Sequence, residues 1–261
     1  MFSFGFLTAV LLACAAGTMV RSDPQDRLTP VQREIERQRQ RLGSLEVEER
    51  RDALMRLGNL KRPEASRVAA TSLSDGTPVV RVTAAHAILS LSSSEAASLL
   101  APLLKDKSEF VRREAAHVLG RTHDRSAVSP LGEALLRDKK ASVRGAAAMA
   151  LGEIGADAGV AALSQTLTTA KQKRSSEDEF VLRSAARSLG RIGSRAGVPA
   201  LIATLENSAN ELDTRREAAR ALGLIGDVSA MPALQAAFAA GEDPYLAEAA
   251  RAAMRTIKSK N

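Results

Sequence analysis

Apolar residues return at helical intervals along nearly the whole chain, in blocks that resemble one another. Val111-Arg112-Arg113-Glu114-Ala115-Ala116-His117-Val118-Leu119-Gly120 is echoed by Val143-Arg144-Gly145-Ala146-Ala147-Ala148-Met149-Ala150-Leu151-Gly152. The block returns over 181–190 and 214–223, with weaker copies at 49–58, 80–89 and 245–254. The residue before the Gly column is 57, 88, 119, 151, 189, 222 and 253, so the steps are 31, 31, 32, 38, 33 and 31 residues. Seven copies near one spacing mark an array of repeated supersecondary units.

Within each block the fifth position is Ala: Ala53, Ala84, Ala115, Ala147, Ala185, Ala218 and Ala249. A small side chain at a fixed helical position lets two helices approach closely. Apolar residues follow four positions on (Leu57, Ile88, Leu119, Leu151) and three further (Leu60, Leu91, Ile154, Ile192, Ile225). These offsets share one helix face, which is the predicted core seam. The stretches 159–167, 197–205 and 230–238 align as a second helix type, with Pro199 and Pro232 in the first turn, where a missing N–H costs nothing. Gly155, Gly193 and Gly226 sit where a left-handed cap is expected, and Asp75, Asp106 and Asp138 in turns before the motif helices. Each unit therefore reads helix, turn, motif helix, tight linker. One such pair cannot bury its apolar face alone; stacking does it.

Ahead of the repeats, Thr29-Pro30-Val31-Gln32-Arg33-Glu34-Ile35 predicts a polar-faced capping helix with Thr29 as N-cap. The long step is an insertion within 169–179, a basic block (Lys171, Lys173, Arg174) followed by an acidic one (Glu177, Asp178, Glu179), expected as a solvated loop.

The pattern Val-Arg-x-x-Ala-Ala-x-x-Leu-Gly-x-Ile-Gly resembles HEAT repeats, in the short form associated with phycobilisome lyases. The resemblance covers about 45–257 and implies an all-α fold, an α-solenoid of about seven stacked antiparallel helix pairs spanning 29–261. It implies that Arg81, Arg112 and Arg144 each bond a neighbouring Asp and knit repeats together, and that the motif helices line the concave side. A fold of this kind does not fix an activity.

Composition agrees: 45% of the 261 residues are apolar but only 3% aromatic, with Ala, Leu, Arg and Glu dominant. The first 21 residues differ. Met1 to Val20 carries no charge, and its apolar run Phe6 to Ala16 precedes Arg21-Ser22-Asp23-Pro24. We read 1–21 as a secretory signal, preferred to a short uncleaved membrane anchor, and 22–28 as a linker. No Lys or Arg precedes the apolar run, which departs from the usual signal. Cys14, the only cysteine, stands in Leu11-Leu12-Ala13-Cys14, a lipidation candidate; the competing cleavage after Ala16 or Gly17 would leave a thiol-free chain. The expected location is the periplasm or cell envelope, with membrane contact only through such an anchor.

The net charge of +7 lies wholly after the apolar segment. A secreted location argues against nucleic acid as a partner, so an acidic protein or peptide is expected. The seventh motif position reads Met55, His86, His117, Met149, Arg187, Arg220, Arg251; four residues on, the column holds Arg121, Arg191 and Arg255. Glu114, Glu217 and Glu248 lie three residues before a basic or His neighbour, which fits simple intrahelical pairing. Taken as a column, the face turns from apolar and His to Arg toward the C-terminus. The candidate partner-binding residues are therefore Arg187, Arg220, Arg251, Arg191, Arg255, His86 and His117.

No catalytic residue, metal site or cofactor is predicted. His86 and His117 are read as surface residues lacking a third ligand, and His123 as a solvated loop residue. Deoxyhypusine hydroxylase uses this repeat with His-Glu dipeptides as iron ligands, and the chain contains no His-Glu dipeptide. Nothing identifies a chromophore pocket of the bilin-lyase kind. The expectation is a non-enzymatic extracytoplasmic scaffold or adaptor; a lyase or metal-dependent enzyme subunit and a purely structural envelope spacer are the alternatives.

Overall fold

The computed structural model describes residues 28–169 and 176–260. Among them are fourteen α-helices and no strand. They succeed one another in pairs: α1 (Pro30–Arg41) with α2 (Val47–Asn59), α3 (Pro63–Ala70) with α4 (Pro78–Ala87), and α5 (Ser93–Leu100) with α6 (Glu109–Thr122). Then come α7 (Val128–Arg137) with α8 (Ala141–Ile154), α9 (Val160–Thr168) with α10 (Ser176–Ile192), α11 (Val198–Glu206) with α12 (Leu212–Ile225), and α13 (Met231–Ala239) with α14 (Pro244–Lys260). The even-numbered helices carry the repeated motif. Neighbouring motif helices pack directly on each other, α6 on α8, α8 on α10, α10 on α12 and α12 on α14.

The seven motif alanines are buried, and the leucines Leu57, Leu119, Leu151, Leu189 and Leu222 exclude solvent beside them. The Gly that follows explains how closely the helices approach. A Cβ on Gly120 would stand 2.9 Å from the Ala150 Cα of the next unit, and one on Gly223 would stand 2.8 Å from the Ala253 Cα. Both are closer than real side-chain carbons come, so these two glycines must stay bare. The core is one continuous strip built from successive units rather than a central ball.

Helix ends follow the local chemistry. Thr29 caps α1 in a reciprocal box with Gln32, its N–H donating to Gln32 Oε1 at 2.9 Å. Gly155, Gly193 and Gly226 take left-handed φ of 71°, 76° and 82°. The same cap position falls on Lys61 and His123, with φ of 50° and 52°, where no glycine signalled it. His123 is exposed, as expected of a loop residue, but its Nδ1 lies 3.0 Å from the Glu153 carbonyl of the next unit.

The expected Arg–Asp fastening is present and longer than anticipated. Arg81 donates twice to Asp106 at 2.8 Å, Arg112 reaches Asp138 at 2.7 and 3.1 Å, and Arg144 reaches Asp178 at 2.8 Å. Arg50 with Asp75 and Arg215 with Glu242 extend the ladder at both ends. In α10 the equivalent position is Leu182, which is buried.

One expectation is corrected. The acidic half of the insertion is not a loop: Glu177, Asp178 and Glu179 form the first turn of α10, where carboxylates suit the helix dipole. Asp178 serves Arg144, and Glu179 is buried, accepting from Thr214 Oγ1 at 2.7 Å. The basic half falls within 170–175, outside the described residues, as do the apolar N-terminal segment with Cys14 and nearly all of the linker. No helix among the described residues is long and apolar enough to cross a membrane.

Candidate functional site

The seventh-position column stands on the motif helices with Met55, His117, Met149, Arg187, Arg220 and Arg251 exposed and His86 half-buried. The structure joins most of its charges to carboxylates at the fourth position. Arg187 Nε donates to Glu217 of the next helix at 2.9 Å, and Arg220 meets the same carboxylate at 3.4 Å. This hydrogen bond, with the charge behind it, raises the Arg187 pKa above its ordinary value. Glu248 receives Arg251 at 2.7 Å and Arg255 at 3.2 Å. Arg191 has no acidic partner among the described residues. The column is thus an alternating ladder with an excess of guanidinium, five against the two carboxylates Glu217 and Glu248, and not a bare basic stripe.

Toward the N-terminus the face changes. His86 Nε2 lies 3.5 Å from Glu114, which also takes Arg113 at 3.1 Å. Burial lowers the His86 pKa; Glu114 opposes this, and the charges of Arg121 and His117 add to the lowering. Nothing brings His86 and His117 together with a third ligand. Among the described residues no group of three His, Cys, Asp or Glu could hold a metal ion.

A second rung was not singled out by the seventh-position column. Arg183 meets Asp213 at 3.3 Å; Arg216 meets Asp213 at 2.6 Å and Asp243 at 2.8 Å and lies over the Tyr245 ring at 5.2 Å. Its signal was the third motif position, which reads Arg51, Arg113, Arg183 and Arg216. Between the rungs lies a depression of about 390 Å³ lined by Met149, Phe180, Arg183, Arg187, Glu217 and Arg220, among others. It brings together three guanidinium groups, the carboxylates of Asp213 and Glu217 paired to them, the Ser184 hydroxyl, and the exposed apolar side chains of Met149 and Phe180.

These features define an α-solenoid with a charged motif-helix face. The family model for HEAT repeats matches three overlapping stretches, 35–117, 100–177 and 169–255. The chain belongs to the HEAT repeat family. Among solved structures it is similar to the YibA protein of Escherichia coli, with 17% identity, a TM-score of 0.58 and 89% of each chain covered. It is also similar to human deoxyhypusine hydroxylase in complex with glycerol, with 21% identity, a TM-score of 0.45, and 86% of this chain and 84% of that one covered. A third is the complex of CpcE and CpcF of phycocyanin lyase from Nostoc sp. PCC7120, with 22% identity, a TM-score of 0.49, and 91% and 97% covered. At these identities the likeness is one of fold. Sequence comparison with curated proteins gives no significant match.

Proposed function

We propose that this chain is a non-enzymatic scaffold that holds an acidic protein or peptide segment across the motif-helix face of its C-terminal half, outside the cytoplasm. One observation carries the reading: Arg183, Arg187, Arg191, Arg216, Arg220, Arg251 and Arg255 share that face with four carboxylates, Asp213, Glu217, Asp243 and Glu248. A surplus of guanidinium on a stacked, rigid face attracts carboxylates and speeds their encounter. Arg is also the cation best shaped for two-point contact with a carboxylate. HEAT arrays commonly bind other proteins, which supports a protein partner over a small substrate. The extracytoplasmic location rests on the uncharged apolar segment at 1–20.

The test is affinity capture from envelope extracts with the wild-type chain and with Arg187, Arg220 and Arg251 all changed to Glu. Because Arg187 fastens α10 to Glu217, a second variant, Arg191→Glu with Arg255→Glu, spares that pair. A partner recovered by the wild type and lost by both variants, at unchanged helical circular dichroism, supports the reading. Undiminished capture by both would refute it. Fractionation and the mass of the mature N-terminus report on location and on Cys14.

A further inference from the structure

The charged columns of the motif-helix face stop at one helix. At the third, fourth and seventh motif positions α6 carries Arg113, Glu114 and His117; α10 carries Arg183, Ser184 and Arg187; α12 carries Arg216, Glu217 and Arg220. On α8 the same positions are Gly145, Ala146 and Met149, and no other described motif helix lacks an ionisable group at all three. Gly145 is covered by its neighbour: a Cβ built there would meet the Phe180 ring of α10, at 2.9 Å from Cδ1 and nearer still to Cε1. Phe180 nonetheless leaves 38% of its surface exposed, and Met149 leaves 39%. Both line the depression that Arg183, Arg187 and Arg220 rim. One helix earlier Phe110, in the same motif position as Phe180, is 39% exposed with Arg113 over its ring at 5.5 Å.

Single exposed apolar side chains are ordinary on a protein surface. Here they coincide with the one break in an ion-paired face, and the charge around that break is lopsided. On α10 and α12 the C-terminal side carries Arg183, Arg187, Arg191, Arg216 and Arg220 against Asp213 and Glu217, whereas on α6 the N-terminal side carries Arg113 and Arg121 against Glu114, which also meets His86. Stacked helices stand about 8–10 Å apart, and an extended chain advances about 3.3 Å per residue. A segment crossing the face therefore meets a new motif helix roughly every three residues.

We propose, resting on the function above, that the apolar gap on α8 is an anchor pocket. It takes one aromatic or aliphatic side chain of the bound segment onto Met149 and Phe180. The acidic residues of that segment lie to one side only, over α10 and α12. Recognition is then directional: an apolar anchor first, carboxylates after it at helix-to-helix spacing. Burying such a side chain adds about 10- to 100-fold in affinity.

The experiment measures binding of the full chain to short synthetic peptides by fluorescence anisotropy. The first peptide has Phe followed by Glu at the helix-to-helix spacing. The second replaces Phe with Ala, and the third replaces each Glu with Lys. The expected order is the Phe–Glu peptide tightest, the Ala peptide about 10- to 100-fold weaker, and the Lys peptide weakest. Met149→Glu, and separately Phe180→Ser, should remove the Phe preference, and the uncharged Phe180→Ser change should leave the Ala peptide unaffected. The Arg191→Glu and Arg255→Glu pair should weaken the Phe and Ala peptides alike. Equal affinity for the Phe and Ala peptides, or a preference unchanged in Met149→Glu, overturns the anchor while the Arg effect still upholds the acidic-partner reading. No binding by any peptide overturns both. Self-association that Met149→Glu abolishes would assign the gap to a second copy of the chain and overturn it too.

Discussion

Gly190 on α10 and Ala221 on α12 meet backbone to backbone: a Cβ on Gly190 would stand 2.9 Å from the Ala221 Cα and 3.0 Å from its Cβ. The contact recurs between units, Gly58 against Ala87 at 3.2 Å and Gly223 against Ala253 at 2.8 Å. Gly190→Ala should therefore destabilise the array by about 1–3 kcal/mol, because backbone has to move and no flexible side chain can yield. Urea melts would read this. Gly58→Ala, with more room, should cost less; equal costs would mean the close approach is not the cause.

Arg112 and Asp138 are both nearly sealed from solvent, with side chains 8% and 9% exposed. Removing one partner strands the other, so Arg112→Ala should cost about 3–5 kcal/mol. Removing both together should cost clearly less than the sum of the single changes, since neither charge is left alone. A double-mutant cycle by chemical denaturation measures the coupling.

The ladder carboxyls make the fold acid-sensitive. Burial raises the pKa values of Asp75, Asp106 and Asp138. Each carboxylate's Arg and the N–H of Thr77, Ser108 or Lys140 outweigh it, so all three are lowered. A lowered folded-state value means the unfolded chain binds protons first. The stabilisation is complete above the ordinary carboxyl value of about 3.9 and is lost as pH falls through the lower folded values. The melting temperature should hold from neutral pH to about 5 and drop below about 4. Asp106→Asn should melt lower at neutral pH and show a shallower acid slope.

Lys61 holds a left-handed backbone at φ 50° and is exposed. An L side chain is strained there by about 1 kcal/mol, so Lys61→Gly should raise stability by roughly that amount. His123→Gly should gain less, because it gives up the contact with the Glu153 carbonyl. Thermal denaturation of the two variants distinguishes strain relief from a general effect of removing a side chain.

Much of the fold could be read along the chain because every unit repeats one helical register. The motif alanines and the leucines four positions on are buried in all the places their offsets demanded. Turn asparates were legible too, since Asp at a fixed distance before a motif helix has a clear local use. Lys61 and His123 were not, because a left-handed cap announces itself only when glycine occupies it. The start of α10 was missed for a related reason: Glu177 to Glu179 looks like solvated loop by composition. Yet Glu179 is held by Thr214, 35 residues away. The Arg column was visible by periodicity. Its capture by Glu217 was not, since that depends on how near α12 comes to α10. The apolar break at Gly145, Ala146 and Met149 was written in the alignment of repeats, but only the Phe180 ring lying on Gly145 gives it a shape.

The Arg ladder also has a direction in time. Each guanidinium precedes its carboxylate, by 25 residues for Arg81 and Asp106 and by 26 for Arg112 and Asp138. On a ribosome, therefore, each helix pair that supplies a ladder Arg is finished before that cation's partner has been made. A chain cut short at its C-terminal side keeps that unanswered charge, whereas one shortened from the front loses only a guanidinium above an Asp still held by N–H groups of the following turn. Synthesis supplies the rungs in order, each ladder Arg gaining its carboxylate only when the following turn emerges.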